Sequence, residues 1–147
     1  MKTKPFIVAP KDYDEALSVL GVRINILASN VATRDYEITL QEGEEGSGPP
    51  LHSHNWDESF FVVRGRVEVY CEGNSTWCEP GTLAHLPAGT VHGYRFCSGG
   101  GQMLEISGKG GHAAEMFTNV SKEIGSGPPD LTKLVEVLSD NGVTVAT

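Results

Sequence analysis

His52-Ser53-His54 places two imidazoles two residues apart. On a β-strand, residues i and i+2 point to one face, so both rings can converge on a single metal ion. Glu58 shares their parity. Four residues of straight strand span roughly 13 Å, whereas carboxylate–metal bonds are only about 2.0–2.2 Å long. For Glu58 to join the pair, the chain must bend at Asn55-Trp56-Asp57, where Asn and Asp suit a turn. His92 reaches the same point only if the sheet curls or closes. An H-x-H by itself is as often a surface or core feature as a ligand pair, so the elements around it must decide.

From Gly21 to Phe96 the chain alternates between apolar and polar residues, broken by turns. Val22, Ile24 and Ile26 share one parity, and Tyr36, Ile38 and Leu40 form the next run. An acidic, glycine-rich loop from Gln41 to Pro50 precedes the histidine pair. Phe60 to Val63, Arg66 to Cys71, Thr76 to Cys78 and Met103 to Ile106 read as further strands, with a loop at Ser98–Gly101. Leu86-Pro87-Ala88-Gly89 suits a type I turn. Short strands with turn signals every 8–12 residues indicate an all-β sandwich or barrel. A barrel domain is expected over residues 1–127, with a short turn of helix within Asp12–Leu20. Residues 128–147 then carry a helix capped by Asp130, with Leu131, Leu134, Val135 and Leu138 as its apolar stripe and Gly142 as its stop. That stripe lies either on the barrel or on a partner.

One domain is the expectation for 147 residues. Glycine is abundant, 18 of 147, which fits a chain full of tight turns. The net charge of −8 argues against nucleic acid or an anionic membrane as partner, because nothing would neutralise phosphates. No run approaches the ~18 apolar residues of a membrane span, and no signal-peptide pattern stands at the start, so a cytoplasmic location is expected. Cys71, Cys78 and Cys97 fit no zinc motif. A hairpin turning at Gly73-Asn74 makes Cys71 and Cys78 diagonal neighbours roughly 7–8 Å apart, whereas a one-residue slip brings them opposite. Three reduced core thiols are the alternative to a bridge.

The pattern extends beyond the histidine pair. Gly46-x5-His52-x-His54-x3-Glu58-x6-Gly65 is followed by Gly81-x5-Pro87-x-Gly89-x2-His92. The two segments resemble the signature motifs of the cupin superfamily, departing only at the last position of the second, where Phe96 replaces Asn. Gly48 to His54, the Glu58-x-Phe60 step, His85 to His92 and Pro128-Pro129-Asp130-Leu131 further resemble small quercetin-dioxygenase-like cupins.

The resemblance implies an antiparallel jelly-roll barrel with a short C-terminal α-helix, one divalent transition metal (Fe, Mn, Ni, Co, Cu or Zn) and His52, His54, Glu58 and His92 as its ligands. It also implies a homodimer and a small-molecule substrate. The favoured activity is a metal-dependent dioxygenase acting on a small aromatic or enol(ate) substrate, with Glu58 also serving as catalytic base. A non-oxidative isomerase or polyketide-cyclase-like enzyme is the alternative, and a non-enzymatic metal- or small-ligand-binding module is the third. Phe60 and Val62, together with Tyr94 and Phe96, share the ligands' parity and are expected in the substrate pocket, with Ile38 and Leu40 as its opposite wall. Trp56 stands at a pocket rim or packs the turn. His85 is a candidate for orienting a ligand, and His112 is expected on the surface. Glu42, Glu44 and Glu45 belong to an expected entrance loop.

Overall fold

The computed structural model describes residues 2–146. A single 3-10 turn at Pro10–Asp12 leads into β1 (Leu17–Val19) and β2 (Val22–Ala28). Of the helical turn expected within Asp12–Leu20 only Asp12 is helical: residues 13–16 are irregular and 17–19 are strand, joined to β2 by a two-residue hairpin at Leu20-Gly21. A short helix α1 (Asn30–Thr33) and strands β3 (Glu37–Gly43) and β4 (His52–His54) follow. Then come β5 (Glu58–Cys71), β6 (Asn74–Cys78), β7 (Leu83–Leu86) and β8 (His92–Ser107). The chain closes with α2 (Ala113–Ile124), α3 (Leu131–Asp140) and β9 (Val143–Val145).

All the pairings are antiparallel, and the order β1-β2-β3-β8-β4-β9 carries β5, β6 and β7 alongside β8. This is the curled all-β fold expected from the alternation and the jelly roll that the resemblance implies. Its curl comes from β5 and β8. The two expected strands at 60–63 and 66–71 are one continuous strand, and the expected loop at 98–101 lies inside β8. Residues 58–65 of β5 pair with 101–107 of β8, and residues 67–71 pair with 92–96. Register shifts between Val62 and Arg64, and between Gly65 and Val67, bend the ladder where it crosses Gly99–Gly101. Bulges of this kind increase local twist.

The β5–β6 hairpin turns at Glu72-Gly73, both at positive φ (47° and 84°), one residue earlier than expected. Cys71 therefore faces Asn74 and Cys78 faces Val67, which separates the two thiols by four ladder positions. All three cysteines are free. The hydrogen-bonded turn before His92 is Pro87–Thr90, closed by Thr90 N–H to Pro87 O at 3.1 Å. Gly89 at its third position has φ of 83°, which a type II turn demands.

The C-terminal region holds two helices where one was expected. Asp130 caps α3, accepting from Lys133 N at 3.2 Å. Its buried residues are Leu134, Val137 and Leu138, which join the barrel's core cluster, while Leu131 and Val135 face solvent. The stripe is rotated by part of a turn from the sequence reading. Helix α2 buries Met116, Phe117 and Val120 in the same core.

Helix α2 receives its cap from outside its own sequence. The side chain of Glu37, fully buried on β3, accepts from Ala114 N at 3.3 and 3.4 Å, beside the N–H groups of Asn30 and Ala113. Burial raises its pKa, and those backbone donors partly offset the rise. A carboxylate at a helix N-terminus meets both the free donors and the positive end of the dipole. Glu37→Ala leaves these donors buried without partners and is expected to lower stability by about 1–3 kcal/mol. Urea unfolding of the variant checks it, and Glu37→Gln should recover part of the loss.

Candidate metal centre

A three-residue strand carries the histidine pair, and it is held from both sides. His52 of β4 pairs directly with His92 of β8, while His52, Ser53 and His54 pair with Val145, Thr144 and Val143 of β9. The bend anticipated at Asn55-Trp56-Asp57 is present and pinned. Asp57 O accepts from Gly108 N at 2.7 Å, and Asp57 Oδ1 accepts from Ala88 N at 2.9 Å. His54 O accepts from Gly89 N at 2.8 Å. One bend thereby ties the strand end bearing His54, the start of β5 bearing Glu58 and the turn before His92.

The structure brings His52, His54, Glu58 and His92 together, with one donor atom of each lying within 4.8 Å of the others. His92 is 1 % exposed and Glu58 5 %. Each imidazole is oriented by its Nδ1, which donates to a backbone carbonyl: His52 to Pro50 O at 2.7 Å, His54 to Trp56 O at 3.0 Å and His92 to Thr90 O at 2.9 Å. A carbonyl only accepts, so in the neutral tautomers the proton sits on Nδ1 and the Nε2 lone pair is free. The Nε2 atoms of His54 and His92 lie 3.2 and 2.6 Å from Glu58 Oε2. Such carbonyl-anchored histidines beside a carboxylate are the arrangement metal sites use to fix their ligands. The donor set fits a divalent transition metal.

The charges follow from burial and from each other. Burial, then the proximity of His92, pushes the His52 pKa down to about 4. Burial also works against a charged His92, but the hydrogen bond and charge of Glu58 outweigh it and raise its pKa. Burial would raise Glu58, yet its hydrogen bonds to His54 and His92 hold it well below the usual carboxylate range.

His52, His54 and Glu58 line a narrow cavity of about 50 Å³. A cavity needs roughly 10–15 Å³ per water, so this one has room for about three to five waters. Phe60 and Tyr94 line it, their rings edge-to-face at 5.3 Å. Val62 and Phe96 point the same way but are buried in the core without lining the cavity. Trp56 is part of the wall. It is 3 % exposed and stacks on His54 at 4.1 Å, with 8° between the planes.

The expected opposite wall needs correction. On β3 the buried residues are Glu37, Thr39 and Gln41, and the outward ones are Ile38 and Leu40. Ile38 lines a surface recess with Phe6, Leu27 and Leu104. His85 also faces away from the metal centre, its Nδ1 bonded at 2.9 Å to Ser59 Oγ at the exposed surface. Glu42 pairs with Arg64 at 3.3 Å, and none of Glu42, Glu44 or Glu45 lines the cavity. His112 is exposed.

Two inward polar residues escaped the sequence reading. Glu105, 4 % exposed, lines the cavity, and its Oε2 accepts from Gln41 Nε2 at 2.6 Å. Gln41 Oε1 in turn accepts from the Tyr94 hydroxyl. Burial, then the charge of Glu58, pushes the Glu105 pKa well above the carboxylate range. The cavity therefore holds one carboxylate that has lost its proton beside one carboxyl that keeps it. Parity was the available signal, since Glu105 interrupts the apolar run Met103–Ile106 on the inward side. Met116, Phe117, Leu138 and Val143 complete the wall from the C-terminal elements.

Fold and site together define a cupin, and comparison with known proteins agrees. Residues 36–106 match the cupin-domain family model, Cupin_2. The matched segment, residues 36–106, is a cupin domain. Over 87 residues the chain is 33% identical to quercetin 2,3-dioxygenase of Bacillus subtilis (strain 168), a match covering 58% of this chain and 26% of that protein. The chain thus spans about a quarter of its curated relative. Among solved structures, KdgF from Halomonas sp. superposes with a TM-score of 0.63 at 23% identity, over 73% of this chain and 94% of that one. The polyketide cyclase RemF from Streptomyces resistomycificus gives 0.63 at 18% identity, over 71% and 80%. At these identities the likeness is one of fold. No helix among the described residues is long and apolar enough to cross a membrane.

Proposed function

We propose that this cupin binds one divalent transition metal through His52, His54, Glu58 and His92 and acts as a dioxygenase on a small, uncharged aromatic or enol substrate. One observation carries the reading: of four convergent donors, three (His52, His54 and Glu58) line a cavity whose other walls are almost entirely apolar and contain no Lys or Arg. A carboxylated or phosphorylated substrate would find no cation there except the metal itself. When bound, the metal supplies a Lewis-acidic centre able to ligate a substrate oxygen and activate O2. The chain's own groups do the rest. Glu58, a carboxylate on the cavity wall, takes the proton of a substrate hydroxyl. Phe60, Trp56 and Phe117 flank a planar substrate and exclude water. Similarity to quercetin 2,3-dioxygenase supports the oxidative assignment.

A specific observation favours a second reading. Glu105 keeps a proton beside the ionised Glu58, and such a pair is what non-oxidative acid–base chemistry requires. One measurement set separates the readings. Metal analysis of loaded protein is expected to show one ion per chain, and an oxygen electrode is expected to show uptake with a member of a panel of small phenols and enols. Turnover of the same panel under nitrogen would move the assignment to an isomerase or cyclase. A loaded protein that turns over nothing in either atmosphere would leave a binding module.

A further inference from the structure

One side of the cavity's wall is shared with a surface groove. That groove is lined by Ser18, Leu20, Pro50, Ile124, Pro129 and Leu134 among others, and it runs between the β1–β2 hairpin and the α2–α3 linker. Leu20 and Pro50 line both the groove and the cavity. No Asp, Glu, Lys or Arg lines the groove.

Leu20 is also one of the chain's conformational exceptions. Val19 pairs with Val22, so Leu20-Gly21 is a two-residue hairpin loop with φ of 52° and 81°. Positive φ at both positions defines a type I′ turn, whose first position favours Asn, Asp or Gly. A leucine there is disfavoured because its Cβ crowds the backbone. The turn itself has no use for this side chain, but its half-buried position between groove and cavity does.

We infer that Leu20 is the gate of an access route from the surface groove to the metal cavity, and that the route selects small, uncharged, apolar molecules. Leu20 and Pro50 form the partition, and the Gly125–Gly127 stretch forms the facing bank. An ion would have to leave water along a groove that offers it no countercharge. The inference rests on the proposed reading of the cavity as the ligand site, but its test needs no metal.

The chain has two tryptophans. Trp56 lines the cavity at 3 % exposure and Trp77 is 60 % exposed. Trp77→Phe protein therefore reports fluorescence from Trp56 alone. Adding Leu20→Asn keeps a residue suited to the turn while removing the apolar partition. Quenching of Trp56 by neutral acrylamide is expected to rise several-fold, quenching by iodide to rise far less, and the urea midpoint to hold or increase. Leu20→Gly, equally at home in the turn, should repeat the result. Unchanged acrylamide quenching in both variants overturns the gate. An equal rise for iodide overturns the selectivity, because general loosening admits ions as readily. A protein that fails to load metal yet shows the acrylamide result defeats the functional reading and leaves the gate standing.

Discussion

His92→Ala is expected to abolish stoichiometric metal retention. Loss of a partner that merely orients a ligand weakens metal binding by about 10–100-fold, and loss of a ligand itself should exceed that range. The variant also removes the nearer of the two partners of buried Glu58, His92 Nε2 at 2.6 Å, leaving only His54 Nε2 at 3.2 Å. Breaking a buried pair by removing one member costs about 3–5 kcal/mol, more than replacing both. His92→Ala/Glu58→Leu should therefore be more stable than His92→Ala while binding metal no better. The pH dependence has a definite sign. In metal-free protein Glu58 raises the His92 pKa, so their pairing stabilises while His92 keeps its proton and is lost as pH rises through that raised value. A divalent ion must displace that proton, so apparent affinity should climb with pH and fall on acidification. His52, pushed down to about 4, stays neutral through most of this range and is not what releases the metal. Isothermal titration with Co(II) or Ni(II) across pH, on wild type and both variants, checks each part. Retention of one tightly bound ion by folded His92→Ala would remove His92 from the ligand set.

The donors were legible because their constraints are local or recur at fixed spacing. His52 and His54 share a strand face by geometry alone, and the bend that Glu58 requires falls on residues that favour turning. The rest of the wall was not legible, for identifiable physical reasons. Ile38 and Leu40 look like core residues under the rule that apolar side chains face inward. Here both faces of the sheet around β3 carry apolar residues, and the inner one also carries polar groups satisfied across the fold. Gln41 bonds Glu105, 64 residues away, and Glu37 caps a helix 77 residues away. No window of sequence contains such partners. Strand β9 posed the same difficulty. Three residues after a helix look like a frayed end, yet they supply the backbone that holds the histidine strand in place.

The curl that delivers His92 to Glu58 depends on Gly65, and Gly65→Ala is expected to be among the most damaging single substitutions in the barrel. Gly65 has φ of 72° and pairs with Gly101 at the kink between β5 and β8. A Cβ added there would lie 2.2 Å from the Gly100 carbonyl oxygen and 2.8 Å from Gly101 Cα. Both are backbone atoms, so no rotamer change relieves the contact. The left-handed conformation alone costs a non-glycine residue about 1–2 kcal/mol. Relieving the clash must also spread the two longest strands, which places the total at about 4 kcal/mol or more, beyond ordinary substitutions. Against a total stability of about 5–15 kcal/mol, that is a large share. Gly81 provides the control. Its φ is 93°, but an added Cβ meets nothing within 4 Å, so Gly81→Ala should lose only the conformational part. Spreading the kink also shifts His92 relative to Glu58, so Gly65→Ala should weaken metal binding far more than Gly81→Ala. Urea midpoints and metal titrations of the two variants test both consequences. Equal losses would mean that glycine is required at Gly65 for its backbone angle and not for the close crossing of the strands.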